Sequence, residues 1–153
     1  MLLFGGIVLR LPYSFFFQLV RQELLIHEVA FVAVKENLMK EKSTRFAIRI
    51  INLYKYLRDC KKETILSKQI LRSGTSIGAN IREAIYAESH LDFLHKYTIS
   101  QKECSETEYW LYLLQQTEYI SDEQYESINT DCLEILKLLT ATIVKLKNNG
   151  NIP

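Results

Sequence analysis

Apolar side chains recur at steps of three and four through nearly all of residues 41–148, and almost no glycine or proline interrupts them. An α-helix turns once every 3.6 residues, so this spacing stacks those side chains into one stripe, whereas a strand would need alternation by two. In residues 41–59 the stripe is Phe46, Ile50, Leu53 or Tyr54, and Leu57, with Arg45, Arg49, Lys55 and Arg58 on other faces. Residues 63–88 carry Leu66, Ile70, Ser73, Ile77, Ile81 and Ala84 on one side. A third helix, reaching about residue 118, repeats Phe93, Tyr97, Ser100, Cys104, Thr107, Leu111 and Leu114 as a heptad seam, with Trp110 and Leu113 opening a second stripe. A fourth, reaching about residue 148, repeats Ile128, Cys132, Ile135, Leu139, Thr142 and Leu146.

The punctuation between these stripes agrees with helix ends. Cys60-Lys61-Lys62 places positive charge at a helix C-terminus. Ser89 with Asp92 three residues on, and Ser121-Asp122-Glu123-Gln124, read as capping boxes, and Asn148-Asn149-Gly150 stops the last helix. Connections this short force neighbouring helices to run in opposite directions. The predicted fold is therefore all-α, an antiparallel up-down-up-down four-helix bundle spanning residues 34–150.

Composition allows this. The 153 residues suit one domain able to bury roughly 68–70% of its unfolded surface. A hydrophobic share of 48% with 24% charged residues excludes wholesale disorder. The cysteines Cys60, Cys104 and Cys132 are odd in number and form no CxxC pair. They suit a reducing, cytoplasmic setting, where they pack as small apolar residues.

Residues 1–33 differ from the rest: they are dense in Leu, Phe and Val, and their charges are Arg10, Arg21, Glu23 and Glu28. A membrane span needs about 20 unbroken apolar residues, and Arg10 and Arg21 cut this stretch into pieces about half that length. A signal peptide would need its basic residue ahead of the apolar core and a small-residue cleavage site after it. This apolar extension is read as translated upstream sequence, with synthesis starting at Val34 or Met39; an extra packed helix and a membrane anchor remain alternatives.

The second helix holds Gly74 and Gly78 in its interior, and each costs a helix about 1 kcal/mol relative to alanine. Close approach of a neighbouring helix along a continuous α-helix is the favoured reason, with a kink near Gly74 as the alternative. On the same helix Arg72, Ser76, Asn80 and Glu83 follow helical spacing and share a face at interior-looking positions, with Glu106 on the third helix. They are expected to form a polar network that fixes helix register.

Catalytic patterns are not found. The nearest approach to a di-iron Glu-x-x-His motif is Asp92-Phe93-Leu94-His95, which occurs once; no phosphate loop or nucleophile elbow is present. No cofactor, metal or enzymatic activity is expected. Net charge is +1, but its distribution is uneven: residues 34–82 hold twelve Lys/Arg against four Asp/Glu, and residues 83–153 hold five against twelve. Attraction between the two hairpins, within the fold or between subunits, is one consequence. A basic face for nucleic acid is the other.

The stretch Leu71-Arg72-Ser73-Gly74-Thr75-Ser76-Ile77-Gly78-Ala79-Asn80-Ile81-Arg82-Glu83-Ala84 resembles the signature of the 23S rRNA intervening-sequence protein family. Asp92-Phe93 and Lys102-Glu103-Cys104-Ser105-Glu106-Thr107-Glu108-Tyr109-Trp110-Leu111 resemble that family's third helix. The resemblance covers residues 34–148. It implies a bacterial four-helix bundle that assembles as a homopentamer around a central channel, often encoded within ribosomal RNA genes. It also implies kinship with the accessory variability determinant of diversity-generating retroelements, a branch that is markedly basic. The family signature falls on Arg72, Ser76, Asn80, Glu83 and Glu106. The expected function is a non-catalytic oligomeric bundle associating with RNA or a ribonucleoprotein, with Lys55, Arg58, Lys61, Lys62 and Lys68 as the contact surface and no membrane partner. A protein-interaction scaffold with no nucleic-acid role is the alternative.

Overall fold

The computed structural model describes residues 13–149, so residues 1–12 of the apolar extension and Gly150 of the terminal stop lie outside the described residues. Four helices follow in order: α1 (Tyr13–Asp59), α2 (Leu66–Ala84), α3 (His90–Gln116) and α4 (Asp122–Asn149). Among the described residues there is no strand, and no helix is long and apolar enough to cross a membrane. The chain divides into two units, Met1–Asn37 and Leu38–Pro153, and the bundle belongs to the second.

Helix α1 begins well before the residue 41 start that periodicity suggests. Among the described residues the buried stripe begins at Met39. Helical backbone needs less: no glycine or proline stands anywhere between Tyr13 and Asp59. At the other end Lys62 takes a left-handed conformation (φ 58°), which turns the chain out of the helix.

Helix α2 is shorter than residues 63–88. Glu63 lies ahead of it and caps it from outside: its carboxylate accepts from the N–H groups of Ile65, Leu66 and Ser67 at 2.6–2.8 Å. Beyond Ala84 the bonds tighten to i→i+3, from Ile85, Tyr86 and Ala87 to Arg82, Glu83 and Ala84, and the helix runs out. Both anticipated caps form, the second as a full capping box. Ser89 Oγ accepts from the Asp92 N–H at 3.1 Å, and the Asp92 carboxylate accepts from the Glu88 N–H. Ser121 and Gln124 satisfy one another reciprocally.

The core is the meeting of four stripes. Phe46, Ile50 and Leu57 from α1, Ile70, Ile77 and Ile81 from α2, Leu111 and Leu114 from α3, and Ile135 and Leu139 from α4 are essentially inaccessible. The α3 seam is buried at every heptad position from Tyr97 to Leu114, including Ser100 and Thr107. Those hydroxyls are satisfied: Ser100 donates to the Ile77 carbonyl at 3.0 Å, and Thr107 donates to the Glu103 carbonyl at 2.7 Å while its oxygen shares a hydrogen bond with the Ser73 hydroxyl at 2.9 Å. On α4 the seam shifts by one residue near its end, where Ile143 is buried and Thr142 is half-exposed.

Cross-helix pairs set the register. Between α2 and α3 they are Ser73 with Thr107, Ile77 with Ser100, and Glu83 with Lys96, so one helix descends as the other climbs. Between α3 and α4, Cys104 meets Cys132 and Gln101 meets Thr140 in the same opposed sense. Helix α1 touches α2 through the glycines. A Cβ on Gly74 would stand 2.8 and 2.9 Å from Cγ1 and Cγ2 of Ile50, and one on Gly78 would stand 3.6 Å from Ser43. Helix α2 passes both sites unbroken; Gly74 marks close approach to α1, whereas Gly78 leaves ordinary contact distance to Ser43.

Candidate nucleic-acid interface

Part of the uneven charge distribution is spent on ion pairs between helices. Helix α1 reaches α4 through Lys42 with Glu134 at 2.7 Å and through Arg49 with Asp131. The Arg49 guanidinium also donates to the Ser127 carbonyl at 2.9 Å and to Ser127 Oγ at 2.8 Å. Ser127 and Asp131 are one turn apart on α4, so a single planar fork spans both. Sequence spacing placed Arg49 on an outer face and missed this clamp; only the register of α1 against α4 reveals it.

The five residues expected as one network fall into separate pairs, with Arg72 and Glu83 exposed and Ser76, Asn80 and Glu106 half-buried. Arg72 is exposed and pairs with Glu106 at 2.9 Å, and Trp110 Nε1 donates to the same carboxylate oxygen at 3.1 Å. Asn80 donates to the Ser76 carbonyl within its own helix. Glu83 is exposed and pairs with Lys96 at 2.7 Å. Helical spacing put them on one face, but that face lies beside the α2–α3 contact, not in the core. Two of the pairs, Arg72–Glu106 and Glu83–Lys96, still bridge α2 to α3 in opposed register.

The basic residues gather at the α1–α2 end. Lys55, Arg58, Lys61, Lys62 and Lys68 are all exposed. Arg58 is engaged locally: it binds the Asp59 carboxylate through two nitrogens at 2.6 and 2.9 Å and lies 5.4 Å from the Tyr54 ring centroid. That hydrogen bond holds the Asp59 carboxyl below its ordinary range. The ammonium of Lys61 stands 5.9 Å from the Tyr56 ring centroid. Lys55, Lys61, Lys62 and Lys68 make no ion pair among the described residues. Acidic residues crowd the same end: Tyr56 and Lys61 share a cavity of about 590 Å³ with Gln115, Glu118, Asp122 and Glu123 of the α3–α4 turn. A groove of about 480 Å³ between α1 and α4 adjoins it and is lined by Arg49, Asn52, Tyr56, Gln124 and Ser127 among others. Among the described residues no group of three His, Cys, Asp or Glu could hold a metal ion.

The model of the family described as 23S rRNA-intervening sequence protein matches residues 35–141. A crystal structure of a protein of unknown function from the S23 ribosomal protein family of Bacteroides thetaiotaomicron VPI-5482 is 62% identical, with a TM-score of 0.71. The match covers 71% of this chain and 97% of that one. The chain belongs to the 23S rRNA-intervening sequence protein family. A comparison with curated proteins finds no match. The matched span contains all four helices of the bundle from Leu38 onward, up to residue 141 in α4, and every candidate contact residue named above.

One acidic residue of this family member stood out only in three dimensions. Glu103 Oε2 is buried with no hydrogen-bond partner among the described residues. Burial, then the neighbouring Glu106 carboxylate, push the Glu103 carboxyl above its ordinary range, while Arg72 pulls it back. A carboxyl whose folded pKa is raised favours the fold when protonated and works against it once ionised. Glu103→Gln should therefore stabilise the chain at neutral pH by up to about 1 kcal/mol, and this gain should disappear below about pH 4. Thermal melts of both chains across that range check it; an advantage that persists in acid would show that ionisation is not the cause.

Proposed function

We propose that this chain is a non-catalytic, self-associating helical scaffold that binds RNA or a ribonucleoprotein through the α1–α2 end of the bundle. The observation that carries this is the set of four exposed lysines, Lys55, Lys61, Lys62 and Lys68, gathered at one end of the bundle and making no ion pair among the described residues. Membership of a family named for intervening sequences in 23S rRNA supports RNA as the polyanion. Flexible lysine ammonium groups suit a phosphate backbone better than a particular base, so binding would be weakly sequence-dependent. Self-association is supported by exposed aromatic residues on α3, Tyr109 and Tyr112, beside the half-buried Trp110. The family resemblance favours a homopentamer as the form of that assembly.

Replacing Lys55, Lys61, Lys62 and Lys68 by Gln should flatten the salt dependence of RNA binding. The log–log slope should fall by about 0.7 for each phosphate of a single strand that the protein no longer neutralises. Fluorescence anisotropy with a labelled RNA at several salt concentrations measures it. An unchanged slope, or no retained RNA at low ionic strength, would overturn the assignment. Light scattering coupled to chromatography reports the number of subunits.

A protein-binding scaffold is the second reading, favoured by the acidic α3–α4 turn beside Lys61, where Glu118, Asp122 and Glu123 oppose a phosphate. Capture of the same partners before and after nuclease treatment would favour it.

A further inference from the structure

The α3–α4 seam holds two cysteines face to face. Cys104 and Cys132 are both wholly buried, and their sulfurs lie 3.4 Å apart. Each thiol also lies against the other residue's carbonyl oxygen, Cys104 Sγ at 3.2 Å from Cys132 O and Cys132 Sγ at 3.4 Å from Cys104 O. These reciprocal contacts require the two backbones to approach closely at this layer. Packing alone asks only for two small apolar residues here; it does not ask that both carry sulfur or that the sulfurs touch. Cys60, by contrast, is exposed at the α1–α2 turn.

We propose that Cys104 and Cys132 are an oxidation site, at which a peroxide converts the buried dithiol into an intramolecular disulfide that fastens α3 to α4. In the first step one sulfur, as thiolate, attacks a peroxide oxygen. The O–O bond breaks, leaving a sulfenic acid, and the departing oxygen leaves as water. In the second step the partner sulfur attacks the sulfenic sulfur, the S–O bond breaks, and a second water leaves. Two thiols and one hydrogen peroxide thus give one disulfide and two waters; the sulfurs are oxidised, the peroxide oxygens are reduced, and both thiol protons end in water.

The two steps are expected to differ greatly in rate. The hydrogen bond to Cys104, and then burial, push the Cys132 thiol well above its ordinary range. Attack on peroxide therefore waits until the seam opens locally and admits water to one sulfur. Closure needs no second encounter, because the resolving thiol is the immediate neighbour and its effective concentration is very high. The pair should then be slower to oxidise than Cys60, yet should stop at the disulfide where Cys60 can progress to sulfinic acid. The bridge closes a loop between residues 28 apart, which restricts the unfolded chain.

The test uses the full chain and its Cys60→Ser, Cys104→Ser and Cys132→Ser variants. Each is treated with hydrogen peroxide at neutral pH, quenched with catalase, unfolded, alkylated and weighed intact. Expected for the full chain is a species two hydrogens lighter within the chain that accepts no alkyl group at Cys104 or Cys132. The Cys60→Ser chain should give the same bridge, and neither of the other variants should give it. The oxidised chain should melt several degrees above the reduced one, and dithiothreitol should abolish the difference. Overturning outcomes are full alkylation of Cys104 and Cys132 after treatment, a bridge that involves Cys60, or loss of helical structure on oxidation. Because Cys104→Ser and Cys132→Ser keep a small hydroxyl in a site that offers carbonyl acceptors, circular dichroism is expected to show them folded. Should either unfold, the Cys60→Ser chain alone decides through peptide mapping of the bridge.

Discussion

A valine at position 74 is expected to cost the fold about 3 kcal/mol or more, the heaviest loss from any single added side chain on α2. A Cβ there meets Ile50 carbons at 2.8, 2.9 and 3.2 Å, and the atoms met are the Cγ1, Cγ2 and Cβ of a β-branched residue, not a flexible tip. Ile50 is itself wholly buried in the core and has nowhere to move. Alanine at the same site sets two effects against one another. It gains up to about 1 kcal/mol of helix propensity, but it presses its methyl into a gap shorter than packed atoms tolerate. Overlap should win, leaving Gly74→Ala less stable than the parent by about 1 kcal/mol. Gly78→Ala should go the other way. Its Cβ would lie 3.6 Å from Ser43, an ordinary contact, so the propensity gain survives and stability should rise by about 0.5–1 kcal/mol. Denaturant midpoints at one fixed protein concentration compare the variants. A Gly74→Ala chain at least as stable as the parent would show that α1 and α2 do not meet this closely.

Removing the Glu63 side chain is the second large loss, about 2 kcal/mol at neutral pH. Helix α2 has no side-chain cap from Ile65, the residue at its N-cap position. Its first N–H groups are satisfied instead by one carboxylate, which accepts from Ile65, Leu66 and Ser67, while Ser67 Oγ donates to the Glu63 carbonyl at 2.9 Å. Charge-assisted bonds at a helix N-terminus exceed neutral ones, and the positive end of the helix dipole adds to them. Glu63→Ala leaves three donors without this partner at a largely buried position. Burial on its own would raise this carboxyl, but the three backbone donors outweigh it and hold the group below its ordinary range. The sign follows directly: a depressed folded pKa contributes stability above the unfolded value, near 4.5, and loses it as pH falls through the lower folded value. The parent should therefore lose more stability than Glu63→Ala between about pH 5 and pH 3, and Glu63→Gln should sit between them at neutral pH. Parallel acid limbs for the three chains would exclude this capping role.

Helix content was plain from residue order because the 3.6-residue period is a local property. The α3 seam from Tyr97 to Leu114 and the caps at Ser89 and Ser121 depend on spacing within a single helix, and the cost of an interior glycine flagged the close approach found at Gly74. Where the stripe misled, a second determinant acted. Helix α1 continues to Tyr13 because no glycine or proline interrupts it, and α2 yields its first turn to Glu63 because that carboxylate serves better from outside the helix.

The long-range register belongs to the tertiary structure alone. Whether Arg49 finds Ser127 and Asp131, whether Glu103 is stranded beside Glu106, and whether Cys104 faces Cys132 each depend on how far one helix slides along another. A slide of one turn preserves every apolar stripe while exchanging every polar neighbour. The amino-acid order by itself thus determined that this chain forms helices with one buried stripe each, since that needs only local periodicity. Close packing at Gly74 and the hydrogen bonds between helices then selected one register, and with it which charges pair between helices and which lysines gather at the α1–α2 end.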